Sequence, residues 1–248
     1  MTPRLRKIGE NPTLIAAGAI VLITAGLLAG GQHASAGGGT GPVVVIPPPA
    51  VDEPAATGTE TAIFAGGCFW GIQGVFQHVQ GVESAIAGYA GGTVDNPSYE
   101  QVGSETTGHA ESVKVTFDPS TVTYGKLLQV FFSVAHDPTQ LNHQWPDTGT
   151  NYRSALFTTS EAQAKVATAY IGQLDAAKLF GDKIVTEVTP YTKFFQAEDY
   201  HQDAATTIDI NPNYILSFDV PKIAALKATF PDLYREKPAL VFASNARS

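Results

Sequence analysis

The chain has 248 residues, 44% of them hydrophobic and 15% charged, enough for one sizeable core and too few for two generous domains. Its formal charge is −8; without residues 1–36, which hold Arg4, Arg6, Lys7 and Glu10, the remaining 12 basic and 22 acidic residues give −10. That balance argues against nucleic acid as a partner, while a single cysteine rules out an internal disulfide and no Cys or Cys/His pair has the spacing of a metal site.

Residues 1–36 open with the basic stretch Arg4, Arg6, Lys7, continue through an uncharged apolar run from Thr13 to Gly31, and reach the small residues Ala34-Ser35-Ala36. This layout predicts an export signal with a cleavage site. The apolar run is also close to the roughly 18 to 20 residues that cross a bilayer, so an uncleaved inner-membrane anchor is the alternative. In both cases the basic flank stays cytoplasmic and the rest of the chain is periplasmic, either soluble or tethered. Residues 37–59 hold Gly37 to Gly41 and then Pro42, Pro47, Pro48, Pro49 and Pro54 without periodicity, and are expected to form a disordered or semi-extended linker. The folded domain is expected over 60–248.

Within that domain, β-like runs at Thr61 to Ala65, Glu83 to Ala87, Ser112 to Phe117, Ser154 to Thr158 and Ile184 to Val188 alternate with helical patterns. The clearest predicted helices are Tyr124 to Ala135, with Leu127, Leu128, Phe131 and Phe132 on one face, and Ser160 to Leu179, with Ser160 as N-cap. The alternation predicts one α/β (α+β) domain: a mixed β-sheet with flanking helices in a two-layer sandwich, a ferredoxin-like variant with long loops.

Cys68 falls where the first strand, the turn Gly66-Gly67 and a helical pattern (Phe69, Ile72, Val75, Phe76, Val79) meet, which predicts a thiol at a helix N-terminus. The free amides and positive dipole end there favour the thiolate, the nucleophilic form. A lone cysteine is otherwise more often a small buried hydrophobe.

The flanking residues decide between these readings. Gly67-Cys68-Phe69-Trp70-Gly71 resembles the signature of the A-type peptide methionine sulfoxide reductases. Further segments resemble the family in the same order: Gly88 to Gly92, Asn96 to Tyr99, Thr107 to Glu111, Gly149 to Ser154, and Ala197 to Gln202. The resemblance runs from about Thr61 to Arg235 and takes in Tyr214 and Pro221-Lys222.

It implies thiol-dependent reduction of methionine S-sulfoxide in peptides and proteins, with Cys68 attacking sulfur and Glu111 as the acid that protonates the oxygen. Taken alone, Glu111 reads as surface charge in a loop leading into the strand from Ser112. By the same resemblance Tyr99 and Tyr152 bond the sulfoxide oxygen, Phe69 and Trp70 cradle the methyl group, and Asp147 assists recycling. The segment Asn142 to Asp147 departs from the family pattern at Trp145 and Pro146, which leaves the reach of Asp147 open. His109, His136, His143 and His201 are expected in structural or surface roles.

Attack leaves a sulfenic acid on Cys68, and no other cysteine exists to resolve it. The expected reductant is therefore external, a thioredoxin-like protein or a dithiol, with oxidised proteins or peptides as substrate, no other cofactor, and a monomeric enzyme. Met1 is the only methionine, so a chain cleaved after Ala36 offers none to oxidants. Two rival readings remain: a cysteine acyltransferase or hydrolase with a Cys/His/carboxylate triad, and a noncatalytic pocket made of the four aromatics.

Overall fold

The computed structural model describes residues 44–54 and 56–242. The expected export segment, residues 1–36, and the first part of the expected linker lie outside the described residues. Among the described residues, no helix is long and apolar enough to cross a membrane.

The first strand, β1 (Glu60–Gly66), is apolar on both faces: Ala62 and Phe64 enter the main core, while Ile63 and Ala65 join a smaller cluster with Ala90, Ala110, Ala155 and Phe157 on the other side. A strand buried on both faces belongs in the middle of a sheet. There follow α1 (Phe69–Gln77), β2 (Val82–Ala90), the short α2 (Tyr99–Gly103), β3 (Ala110–Phe117) and α3 (Tyr124–Val130). After α3 come a hairpin of β4 (His143–Gln144) and β5 (Asp147–Thr148), then β6 (Ser154–Thr158) and α4 (Glu161–Ala177). The chain ends in β7 (Glu187–Pro190), β8 (Phe194–Gln196), the short helices α5 (Ala204–Thr207) and α6 (Pro212–Tyr214), and α7 (Val220–Thr229).

The main sheet has the order β7-β6-β1-β3-β2-β8, antiparallel except for the parallel pair β6 and β7. Its inner four strands, β6-β1-β3-β2, have α1 crossing from β1 to β2 and α3 lying between β3 and β6 in sequence, which is the ferredoxin-like arrangement. The expected fold class stands, with β7 and β8 added at the two edges. Phe64, Ile72, Phe76, Val113, Val115, Leu127, Leu128, Phe131 and Tyr170 fill the core between this sheet and the helices.

Local chemistry explains where the helices begin. Thr123 caps α3 by accepting from the Lys126 N–H, and Ser160 caps α4 by accepting from the Gln163 N–H, as its sequence predicts. The helix expected over Tyr124 to Ala135 is α-helical only to Val130; Phe131–Ala135 widens into a π-turn. It stops at His136, whose ring stacks on Phe131 at 3.9 Å and pairs with Ser154 Oγ at 2.8 Å.

Two expectations are corrected here. The strand expected at Ile184 to Val188 begins only at Glu187, because the Ile184 N–H donates to Asp175 Oδ1 and the Val185 N–H to the Pro138 carbonyl, leaving neither for a ladder. The linker expected over residues 37–59 is not a free tether along its described part. Ile46 is buried in the core, Tyr170 and Gln129 donate to the Pro47 and Ile46 carbonyls, and Asp52 accepts from the Gly125 N–H. The polyproline passage thus docks on α3 and α4: proline backbone lacks N–H groups but keeps carbonyls that side chains can bond.

Candidate active site

Cys68 is the N-cap of α1, raised there by Gly67, whose φ of +94° a side chain would strain. The thiol is buried, 8% exposed. The Trp70 N–H, one turn into the helix, favours the thiolate as anticipated, yet burial outweighs it, and the carboxylates of Asp219, Glu111 and Asp147 add to the effect. The thiol is pushed well above its ordinary value, so the helix-end effect favouring thiolate is present but overridden: burial is the larger cause, and nearby carboxylates, Asp219 first, add to it.

Glu111 lies inside β3 rather than in a loop before it, paired with Tyr89 of β2, and only 1% of it is exposed. Its Oε2 accepts from the Phe69 N–H at 3.0 Å, which holds the carboxyl against the first turn of α1, next to Cys68. Burial pushes it up to about 8, with Asp147 and Asp219 adding to the shift against the Phe69 bond. At neutral pH it is a carboxylic acid with a proton to give.

Tyr99 opens α2, where Ser98 and Gln101 form a capping box. Its N–H donates to Glu198 Oε1 at 3.0 Å, and Glu198 Oε2 accepts from the Tyr89 hydroxyl at 2.9 Å. Tyr152 ends a 3-10 turn, Thr150–Tyr152, that closes onto Gly149. Burial, then Glu111, pushes Tyr99 up to about 12 and raises Tyr152 further, so both remain protonated donors.

Phe69 and Trp70 are buried and form the apolar side of the site. The Trp70 ring is fixed on two sides: its Nε1–H donates to His201 Nδ1 at 3.1 Å, and Tyr214 meets it edge-on at 5.9 Å between centroids. His201 also lies 5.1 Å from Phe69 and 4.4 Å from Tyr99. Burial lowers its pKa, which keeps it neutral; with Nδ1 accepting, the ring proton sits on Nε2.

Asp147, the residue whose reach the sequence left open, sits in β5 and accepts a hydrogen bond from the Tyr214 hydroxyl. Its carboxylate acts on Cys68, Glu111 and both phenols, so the hairpin that carries Trp145 and Pro146 brings it to the site. Sequence reading expected only a structural or surface role for His201 and gave none to Tyr214 or Asp219. His201 and Tyr214 lie in segments that carried the family resemblance; Asp219 had no signal beyond proximity to Pro221-Lys222.

The other described histidines bond away from the thiol: His78 to the Arg235 carbonyl, His109 to the Val94 carbonyl, His136 to Ser154 and His143 to the Leu141 carbonyl. The triad reading therefore has no histidine partner among the described residues. Nor do these residues hold a group of three or more His, Cys, Asp or Glu placed to bind a metal ion.

A model of the family described as peptide methionine sulfoxide reductase matches residues 60–228. The chain is 58% identical over 197 residues to peptide methionine sulfoxide reductase MsrA 2 of Mesorhizobium japonicum, covering 79% of this chain and 100% of that one. It is 47% identical to MsrA 2 of Synechocystis, covering 71% of this chain and 82% of the relative. Among solved structures, methionine sulfoxide reductase A of Corynebacterium diphtheriae superposes with a TM-score of 0.53 at 36% identity, over 70% of this chain and 87% of the other. Identity of this extent, joined to a buried cysteine, acid and phenol pair at the matching motifs, means that the chain belongs to the peptide methionine sulfoxide reductase family, in its A-type branch.

Proposed function

We propose that Cys68 is the nucleophile of a thiol-dependent reduction of methionine S-sulfoxide in peptides and proteins, with Glu111 as its acid. The observation that carries this reading is the contact at the first turn of α1, where a buried carboxylic acid bonds the amide next to the lone thiol. Sγ attacks the sulfoxide sulfur as Glu111 gives its proton to the oxygen; the thiol proton passes back to Glu111. The hydroxyl then moves from the methionine sulfur to Sγ: the methionine S–O bond and the new sulfur–sulfur bond break as a Cys68 S–O bond forms, leaving Cys68 as a sulfenic acid while methionine departs. Tyr99 and Tyr152 donate to the oxygen as it gains charge, and the walls of Phe69 and Trp70 take the methyl group and exclude water.

Recycling uses external thiol. One thiol attacks the sulfenic sulfur, water leaves and a mixed disulfide forms; a second thiol releases Cys68 and departs as the oxidised disulfide. Asp147, tied to Tyr214, assists the first of these steps by ordering the proton that leaves with water. The absence of a second cysteine in the sequence supports a thioredoxin-like or small dithiol donor. The leader in residues 1–36 supports export to the periplasm, with cleavage or anchoring as the alternatives and a monomeric domain in either case. Cell fractionation together with the N-terminal sequence of the exported form tests that placement; retention in the cytoplasm would contradict it.

The direct test of the reaction is turnover of each epimer of a methionine sulfoxide peptide with dithiothreitol. S-epimer reduction that Cys68→Ser abolishes is the expected result. Reduction of the R epimer, or turnover that survives Cys68→Ser, would overturn the reading.

A further inference from the structure

Asp219 is the last residue of a π-turn (Ile215–Asp219) that leads into α7, and it is 0% exposed. Both of its carboxylate oxygens are buried without a hydrogen-bond partner. Among the described residues its counter-ion is Lys222, one turn on, at 3.8 Å. The pair is pressed against the first turn of α1: a Cβ at Gly71 would collide with Asp219 Oδ1 and stand 3.0 Å from Lys222 Nζ. Gly71 is three residues from Cys68, so the glycine closing the Gly-Cys-Phe-Trp-Gly segment makes room for a buried ion pair beside the thiol.

A buried carboxylate with neither oxygen bonded is costly, and packing alone gives no reason to keep it. Apolar residues of similar size would fill the same place without that penalty. Among the charges around Cys68, Asp219 exerts the largest influence, ahead of Glu111 and Asp147. Among the described residues, the phenols of Tyr99, Tyr152 and Tyr214 also interact with Cys68, and all three stay protonated. Asp219 itself is pushed up by burial, with Lys222 opposing and Asp147 adding, to about 6, so it is a carboxylate at neutral pH.

We infer that Asp219 is a positioning residue that acts through Cys68: its buried, unbonded carboxylate against the first turn of α1 disfavours a second negative charge on the chain's single cysteine. The inference rests on Cys68 being the nucleophile. In this chain the restraint has a use, because a thiolate takes an oxygen atom from a peroxide, releasing hydroxide, and no second cysteine can trap the resulting sulfenic acid as a disulfide before further oxidation. Asp219 holds the resting thiol out of that reaction.

The test reads the thiol rather than turnover, so it can fail without the reductase reading failing. The rate of Cys68 alkylation by iodoacetamide is followed from pH 6 to 10 in the full chain and in Asp219→Asn and Asp219→Glu. Asp219→Asn is expected to move the midpoint down by about one pH unit, making alkylation at neutral pH roughly tenfold faster and peroxide inactivation faster in step. Asp219→Glu, which keeps the charge, is expected to stay near the wild-type profile. A folded Asp219→Asn with an unchanged midpoint, even with a lowered Tm, would make the residue merely structural and overturn the inference. Should Asp219→Asn not fold, Asp219→Leu combined with Lys222→Met removes both buried charges and is read in the same way.

Discussion

Helix α1 carries a buried polar cluster at each end, and the two are built on opposite rules. Toward its C-terminal end, Gln73 donates to the Ala85 carbonyl and to Gln202 and accepts from the Asp203 N–H, while Gln77 donates to Asp203. Gln202 closes on the Ala87 and Ala197 carbonyls, and Asp203 takes the Val241 and Phe242 N–H groups. Nearly every donor there has an acceptor. At the N-terminal end, Asp219 has no hydrogen bond to either oxygen, Glu111 has one from backbone, and Cys68 is crowded by negative groups. A saturated polar cluster fastens the helix to the C-terminal segment; an unsaturated one stores the proton and charge that a reaction draws on.

Substitutions at the two ends therefore separate activity from stability. Cys68→Ser has the largest expected effect: turnover falls below detection while the Tm stays close to wild type, which paired kinetics and calorimetry check. Glu111→Gln is expected to lower kcat/KM by about 10²- to 10⁴-fold through loss of the transferable proton. A Glu111→Gln enzyme within twofold of wild type would remove the acid from the mechanism.

The pH profile sharpens the same point. Because Glu111 must hold its proton, turnover is expected to decline as pH rises through about 8, a limb absent from Glu111→Gln. The stability sign follows from a folded pKa above the ordinary 4.5: the contribution of Glu111 is fully present below 4.5 and is lost as pH rises through about 8. Glu111→Gln should therefore melt higher than wild type above pH 8, and that advantage should vanish toward pH 4. At the saturated end the expected effect is the smallest on catalysis. Gln73→Ala, which strands the Asp203 N–H and leaves the Gln202 oxygen with the Ala87 N–H alone, costs about 1–3 kcal/mol of stability. Its kcat per folded molecule is expected to stay near wild type, and a large fall in kcat would break the contrast between the two clusters.

Much of this site was legible in the sequence because its parts lie in contiguous motifs. Cys68, Phe69, Trp70, Tyr99, Glu111 and Tyr152 all sit in segments whose family resemblance is local, and the strand-turn-helix around Cys68 is visible in periodicity alone. What sequence did not disclose depends on distance in space. Glu111 looked like a surface charge because its neighbours are polar, while its burial comes from β2 and α1 packing around it. The state of the thiol was legible only in part because the helix end is local and visible, whereas Asp219, 151 positions further on, is not. The docking of Pro47 and Asp52 was hidden for the same reason, since proline-rich composition reports no partner until α3 and α4 are in place.

The central claim is that one cysteine takes the oxygen and keeps it. A single-turnover experiment with no reductant tests it most directly, mixing the full chain with excess S-sulfoxide peptide, counting methionine formed and trapping Cys68 with dimedone. The account predicts one methionine per chain and a dimedone adduct on Cys68. Continued turnover without added thiol, or methionine formed with no adduct on Cys68, would contradict it.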